Sequence, residues 1–123
     1  MKAERKGDLT VDVLGTAYTI TYRKGDEDPI LSQGNAGYCD PSVKLIVMED
    51  AKEDPRYCKD QDVLDRKTMR HELIHAFAFE SGLGNDSGWA VNEEMIGFFA
   101  WQFPKMAKAF RAVGALDGGE ESV

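Results

Sequence analysis

The chain has 123 residues, of which 42% are hydrophobic and 30% are charged, and its formal net charge is −7. This length predicts one domain with a single modest core. The negative charge argues against nucleic acid as a partner, because binding phosphate needs a basic surface. We expect a cytoplasmic protein without a membrane-spanning segment, since no apolar run is long enough for a span and none follows the basic N-terminus.

The first third of the chain predicts a small sheet built from two hairpins. Its β-prone runs are bounded by turn-forming residues, and Gly15-Thr16 is expected to form the first turn. The polar stretch 23–36, which contains Pro29, predicts a loop. The four strands are predicted at residues 11–14, 17–22, 37–39 and 43–48.

A helical pattern follows from Asp60 to Leu83. Asp60 or Asp62 can cap its start, and Gly82 with Gly84 can end it. Apolar residues at helical spacing predict a stripe that faces the core. These residues are Met69, Leu73, Ile74 and Phe77.

A second helix is predicted over residues 89–102, with Ser87 as a candidate cap. Pro104 is expected to break this helix or to open a new one, because proline has no N–H for the helical ladder. Residues 103–113 predict a last amphipathic segment.

The predicted fold class is therefore α+β, with a small antiparallel or mixed N-terminal sheet packed on two helices. We expect one domain over residues 1–113. The Gly-rich acidic stretch 114–123 predicts a disordered tail.

The most specific motif is His71-Glu72-Leu73-Ile74-His75, which contains both histidines of the chain. Imidazoles four residues apart lie on one face of a helix, about one turn from each other. Their ring nitrogens can therefore reach one zinc ion at about 2.0–2.1 Å. Glu72 lies beside that face, where it can accept a proton from a metal-bound water. A chance match, or two histidines packed in a core, is the alternative.

Two histidines leave a catalytic zinc site incomplete, since such sites usually use three protein ligands. Because the chain has no third histidine, the third ligand must be a carboxylate or a thiolate. Glu93 shares a helical face with the small residues Gly97 and Ala100, which would let the two helices approach closely, whereas Glu94 shares its face with two aromatic residues. We predict Glu93 rather than Glu94. The alternative is an acidic first turn that serves the helix dipole.

The zinc motif followed by Asn92-Glu93 resembles the gluzincin metallopeptidases, whose third zinc ligand is a glutamate on the next helix. The short chain, with a small sheet before the active helix, is similar to minimal gluzincins. These include the ImmA/IrrE-type peptidases of phages and mobile elements and small prophage-encoded zincin proteins.

The resemblance covers about residues 37–108 and is specific in the zinc motif. Phe99-Ala100 also fits the family pattern. Gly97 departs from it, because the family typically has Asp or Asn four residues after the ligand glutamate, where the polar side chain helps to orient a ligand histidine.

We expect a zinc metallopeptidase, encoded by a phage or mobile element, with one Zn²⁺ per chain. His71, His75 and Glu93 would hold the ion, and Glu72 would act as the general base. The substrate would be a peptide or protein that pairs with the sheet edge nearest the helix, for which residues 43–48 are the candidate. The alternatives are a zinc-stabilised regulatory or binding module with little or no activity, and a scaffold for a host partner.

Five further residues have candidate roles. Tyr22, Tyr38 and Tyr57 could donate a hydrogen bond to the developing oxyanion, although a buried tyrosine is more often structural. Cys39 and Cys58 are too few for a disulfide framework, and we expect them to be structural or incidental free thiols.

Overall fold

The computed structural model describes residues 7–50, 60–84 and 86–116. Four strands form one sheet in the order β1-β2-β4-β3, in which β2 and β4 are parallel and the other neighbours are antiparallel. The predicted α+β class is confirmed, and the sheet is mixed. The elements are β1 (Leu9–Val13), β2 (Thr16–Arg23), β3 (Gly37–Asp40), β4 (Leu45–Glu49), α1 (Gln61–Ala78) and α2 (Glu93–Ala112).

The first hairpin turns one residue earlier than predicted, at Leu14 and Gly15. Both residues have positive φ angles, 51° and 93°, as a two-residue type I′ turn requires. The Asp12 carboxylate accepts a hydrogen bond from the Gly15 amide at 3.2 Å. This turn pairs Val13 with Thr16 and so fixes the register of β1 on β2.

Strand β4 lies inside the sheet, between β2 and β3, and has no free edge. The prediction that residues 43–48 form the edge available to a substrate is therefore wrong. The apolar residues Ile46, Val47 and Met48 are at most 1% exposed, as expected for a strand that is covered on both faces. Strand β3 is the edge strand that packs against α1.

The core lies between the sheet and α1. Met69 and Leu73 of the predicted stripe pack against it, but Phe77 is 41% exposed. The most buried face of α1 instead carries Thr68, Glu72 and Ala76. The buried core cluster consists of Val13, Tyr18, Ile20, Ile46, Met48 and Ala76.

Helix α1 begins and ends close to the predicted signals. The Asp60 side chain accepts a hydrogen bond from the Val63 amide at 3.1 Å, so Asp60 rather than Asp62 is the cap. The regular helix ends at Ala78 and continues as a short π-type turn, Phe79–Leu83. Gly82 lies inside this turn with a φ of 91°, a non-helical conformation that favours glycine.

Helix α2 starts later than predicted, at Glu93. Asn92 is its cap, and its side-chain oxygen accepts a hydrogen bond from the Met95 amide at 2.7 Å. Ser87 accepts from the Ala90 amide at 3.2 Å in the turn before the helix and does not cap α2.

Pro104 lies inside α2, which continues to Ala112, so the predicted break at this residue is wrong. The proline removes only one helical hydrogen bond, the one to the carbonyl of Ala100. The side chain of Arg70 on α1 donates to that carbonyl instead, with Nε and the oxygen 2.6 Å apart.

No helix within the described ranges combines the length and the apolar character that crossing a membrane requires. The part of the predicted tail from residue 117 onward lies outside the described residues.

Candidate metal centre

Three side chains from the two helices meet at one point. Nε2 of His71 lies 3.2 Å from Oε1 of Glu93, and Nε2 of His75 lies 3.2 Å from Oε2 of the same carboxylate. One ligand atom from each residue lies within 4.8 Å of the other two. His71, His75 and Glu93 are therefore a cluster that could hold a metal ion.

The ligand atoms of this cluster are close enough together for one small metal ion to reach all three residues. Two ligands that each lie 2.0–2.1 Å from a tetrahedral metal are about 3.3–3.4 Å apart. Each histidine nitrogen lies 3.2 Å from a different oxygen of Glu93, which is close to that separation. Two imidazoles and one carboxylate are a donor set that zinc accepts, and three protein donors leave a fourth position open.

The electrostatics of His71 also suit a metal ligand. Partial burial of the ring, followed by the proximity of His75, lowers the pKa of His71 from its ordinary value. The imidazole is therefore neutral at physiological pH, and the neutral ring is the form that coordinates a metal.

Glu93, and not Glu94, joins the histidines because of where α2 begins. Asn92 caps the helix, so Glu93 is its first residue and points from its end toward α1. On the same side of α2, Ile96 and Ala100 are fully buried. Glu94 is one residue further on, rotated by about 100° around the helix, and lies outside the cluster.

Glu72 lies beside the cluster on the buried face of α1. It is 7% exposed. Burial, with a contribution from the nearby charge of Glu93, raises the pKa of the Glu72 carboxyl to about 7. A carboxyl group with a pKa near the working pH is suited to taking up and releasing a proton.

The cluster opens into a cavity of about 590 Å³, which Glu72 also lines. Strand β3 and the loops that flank it form one wall, the end of α1 forms another, and the segment before α2 forms the third. Among the described residues, the lining has two carboxylates, Glu72 and Glu93, and no lysine or arginine. Such a cavity has the size of a ligand site.

The two described tyrosines of the three predicted as oxyanion donors, Tyr22 and Tyr38, have other contacts. Tyr38 lines the cavity, but its hydroxyl donates to the buried carboxylate of Asp28 at 2.7 Å. Tyr22 packs against the hydrophobic core and does not line the cavity. Tyr57 lies outside the described residues.

Cys39 is a half-buried free thiol on β3 that lines the cavity. Burial, together with the charge of nearby Glu72, raises its pKa to about 12. The thiol is therefore protonated at neutral pH and serves as a neutral part of the wall rather than as a thiolate ligand. Cys58 lies outside the described residues.

Two features of the site have no signal in the motif. The edge strand β3 supplies the wall that the sequence assigned to residues 43–48. At Gly97, one turn after Glu93, an added Cβ would meet no atom within 4 Å, so this glycine is not a point of close helix approach as its small size predicted.

No family model, no curated protein and no solved structure matches this chain. The interpretation of the site therefore depends on its residues and their geometry.

Proposed function

We propose that the chain is a zinc-dependent peptidase of the gluzincin type. His71, His75 and Glu93 hold one Zn²⁺, and Glu72 is the general base. The observation that carries the proposal is the buried carboxyl of Glu72 beside a three-residue metal cluster in one cavity. A purely structural zinc site is usually closed by four protein ligands and has no use for an adjacent base.

Zinc is the metal that the donor set favours, because nitrogen and carboxylate oxygen in a three-ligand arrangement are typical of its catalytic sites. When bound, zinc supplies a water of lowered pKa and polarises a carbonyl group of the substrate.

Glu72 accepts a proton and then donates it in this reaction. As the water oxygen bonds to the carbonyl carbon, its proton passes to the Glu72 carboxylate. The protonated carboxyl then gives that proton to the amide nitrogen, and the carbon–nitrogen bond breaks to release an amine and a carboxylic acid. The pKa of about 7 suits both transfers.

The substrate of this peptidase is an extended peptide or protein segment that pairs with β3. Within the part of the chain that the structure describes, this strand is bonded to β4 on one side only, so its other edge can accept a further strand. Cys39 on β3 and Ala78 and Phe79 at the end of α1 line the cavity next to that edge. These uncharged walls favour small or apolar substrate side chains near the scissile bond.

The test compares three zinc-loaded proteins on a mixture of unstructured peptides, with cleavage followed by mass spectrometry. We expect the wild type to cleave, and Glu72→Gln to retain zinc while cleaving at least about 100-fold more slowly. Glu94→Gln is the matched control, because it changes an exposed glutamate outside the cluster, and it should cleave like the wild type.

Equal cleavage by the wild type and Glu72→Gln would contradict the assigned base. A wild type that binds zinc and cleaves none of the peptides would favour the zinc-stabilised binding module instead.

A further inference from the structure

The carbonyl of Ala100 in α2 lacks its usual helical donor. The residue four positions later is Pro104, which has no N–H. Ala100 is fully buried, so water cannot take the place of the missing donor. The guanidinium of Arg70 on α1 fills this position, with Nε 2.6 Å from the Ala100 oxygen. Because the donor is charged, the bond is stronger than one between neutral groups.

This bond joins two points that are close to the metal cluster. Arg70 directly precedes His71 in the sequence, and Ala100 lies seven residues after Glu93. Seven residues of helix are two turns, or about 10.5 Å along the axis. The bond therefore connects the helix that carries two ligands to the helix that carries the third.

We propose that Arg70 is a positioning residue of the metal site, which holds α2 on α1 so that the Glu93 carboxylate meets His71 and His75. This inference rests on the proposed function, because it requires that the cluster binds a metal.

The distance along α2 between Ala100 and Glu93 explains why such a bond matters. A 10° swing of α2 about Ala100 would move the start of the helix by about 1.8 Å. Metal–ligand distances tolerate about 0.2 Å. The Glu93 side chain is 67% exposed, so its own surroundings constrain it little. Gly97, which lies between Glu93 and Ala100 in the sequence, has no side chain, and even an added Cβ there would meet no atom within 4 Å.

A purely structural role for Arg70 is the competing explanation. In that case the guanidinium only satisfies a buried carbonyl, and the packing of Ile96, which is fully buried, sets the position of α2 by itself. The two explanations differ in the expected effect of a new hydrogen-bond donor for the Ala100 carbonyl. If the role of Arg70 is purely structural, the new donor restores both stability and zinc binding. If Arg70 positions α2, the new donor restores stability alone.

The experiment uses the full chain with Arg70→Met, Pro104→Ala and the double variant. Arg70→Met keeps the length of the side chain and removes its donors. Pro104→Ala gives the backbone an N–H for the Ala100 carbonyl but does not join the two helices. Three quantities are measured: the zinc dissociation constant by competition with a chelator, the visible spectrum of the Co²⁺-substituted protein, and the melting temperature of the metal-free protein.

We expect Arg70→Met to weaken zinc binding about tenfold or more, the size of effect seen when the groups that orient metal ligands are lost. The Co²⁺ spectrum should change with it. In the double variant the melting temperature should return toward that of Pro104→Ala, while zinc binding stays weak. Arg66→Met, an exposed arginine one turn before Arg70, is the matched control and should leave zinc binding unchanged.

The inference would be overturned if Arg70→Met bound zinc with wild-type affinity and had an unchanged Co²⁺ spectrum. If Arg70→Met does not fold, the same result in the double variant would overturn it. Either result would leave the proposed function intact. A wild type that binds neither zinc nor Co²⁺ would overturn the proposed function, and the inference with it.

Discussion

The two helices hold their shares of the metal cluster in different ways. The side chains of His71 and His75 are 23% and 25% exposed, on a helix that packs against the sheet, whereas Glu93 is 67% exposed at the first residue of its helix. The histidines are placed relative to each other by helical geometry alone. The position of Glu93 depends on how one helix packs on another, so the site has a local part, the two histidines, and a tertiary part, Glu93.

The largest expected difference between the local and tertiary parts of the site is in zinc affinity. A full set of structural zinc ligands is worth about 10–16 kcal/mol, so one ligand of four contributes about 3 kcal/mol, or two decades in the dissociation constant. We expect His75→Ala to weaken binding at least about 100-fold and Glu93→Ala to weaken it less, because water can replace an exposed carboxylate. Titration against a chelator measures both.

Glu94→Ala is the control for this pair and should bind zinc like the wild type. A larger loss in Glu94→Ala than in Glu93→Ala would assign the third ligand to Glu94.

The cavity wall on β3 is also held by contacts that involve none of the three metal-cluster residues. Asp28, which is buried, accepts hydrogen bonds from Tyr38 and Arg23, each at 2.7 Å. The bond from Tyr38, with that from Arg23, lowers the pKa of Asp28 to about 2. Because this pKa is depressed in the folded state, the ionised carboxylate stabilises the fold above about pH 4, and the contribution is lost as the pH falls toward 2.

We therefore expect Asp28→Asn to lower the free energy of unfolding by about 2 kcal/mol at neutral pH, without changing zinc affinity. Urea unfolding at several pH values measures the gap, which is the difference in free energy of unfolding between the wild type and Asp28→Asn. The gap should narrow between pH 4 and pH 2, and a gap that is the same at pH 7 and pH 2 would contradict the role of the carboxylate.

The two helix caps offer a smaller and closely matched comparison. Asp60 caps α1 through the Val63 amide, and Asn92 caps α2 through the Met95 amide. Replacing either with Ala should destabilise the metal-free protein by about 1 kcal/mol. Only Asn92→Ala should also weaken zinc binding, because the adjacent Glu93 is the ligand whose position depends on the start of its helix. Equal zinc affinities in the two variants would contradict this distinction.

The smallest expected effect is a gain at Gly97. Open space at this position, one turn after Glu93, can accept a side chain. An aspartate there could orient a ligand histidine, and we expect Gly97→Asp to tighten zinc binding several-fold. Gly97→Ala fills the space without a polar group, so it should stabilise the helix by about 0.5–1 kcal/mol and leave zinc affinity unchanged. Weaker zinc binding in Gly97→Asp would contradict this expectation.

The local part of the site could be predicted from the sequence because the spacing of the two histidines is a property of one helix. His71 and His75 lie on the face that the motif predicts, and the caps and glycines mark the helix ends to within a few residues. The sequence favours Glu93 over Glu94 through its small helical neighbours and through the match of Phe99-Ala100 to the family pattern. Its actual distance to the histidines depends on the packing of α2, which the sequence pattern does not contain.

The rest of the fold shows where tertiary contacts override local signals. Pro104 is a strong helix breaker by itself, but Arg70, 34 residues earlier in the sequence, supplies the missing donor. The order of strands in the sheet was also not readable, because the apolar pattern of residues 45–49 shows that they are buried and not which strands lie beside them. The hydrogen bond from Tyr38 to Asp28 depends on the fold of the intervening loop, which the sequence pattern does not contain.

The most direct test of this account is the zinc content of the purified wild-type chain after loading with zinc and dialysis, measured by elemental analysis. We expect close to one zinc per chain in the wild type, and substantially less in His75→Ala and Glu93→Ala treated in the same way. A wild type that retains no zinc would show that His71, His75 and Glu93 do not form a metal site, and the peptidase proposal would fail with it.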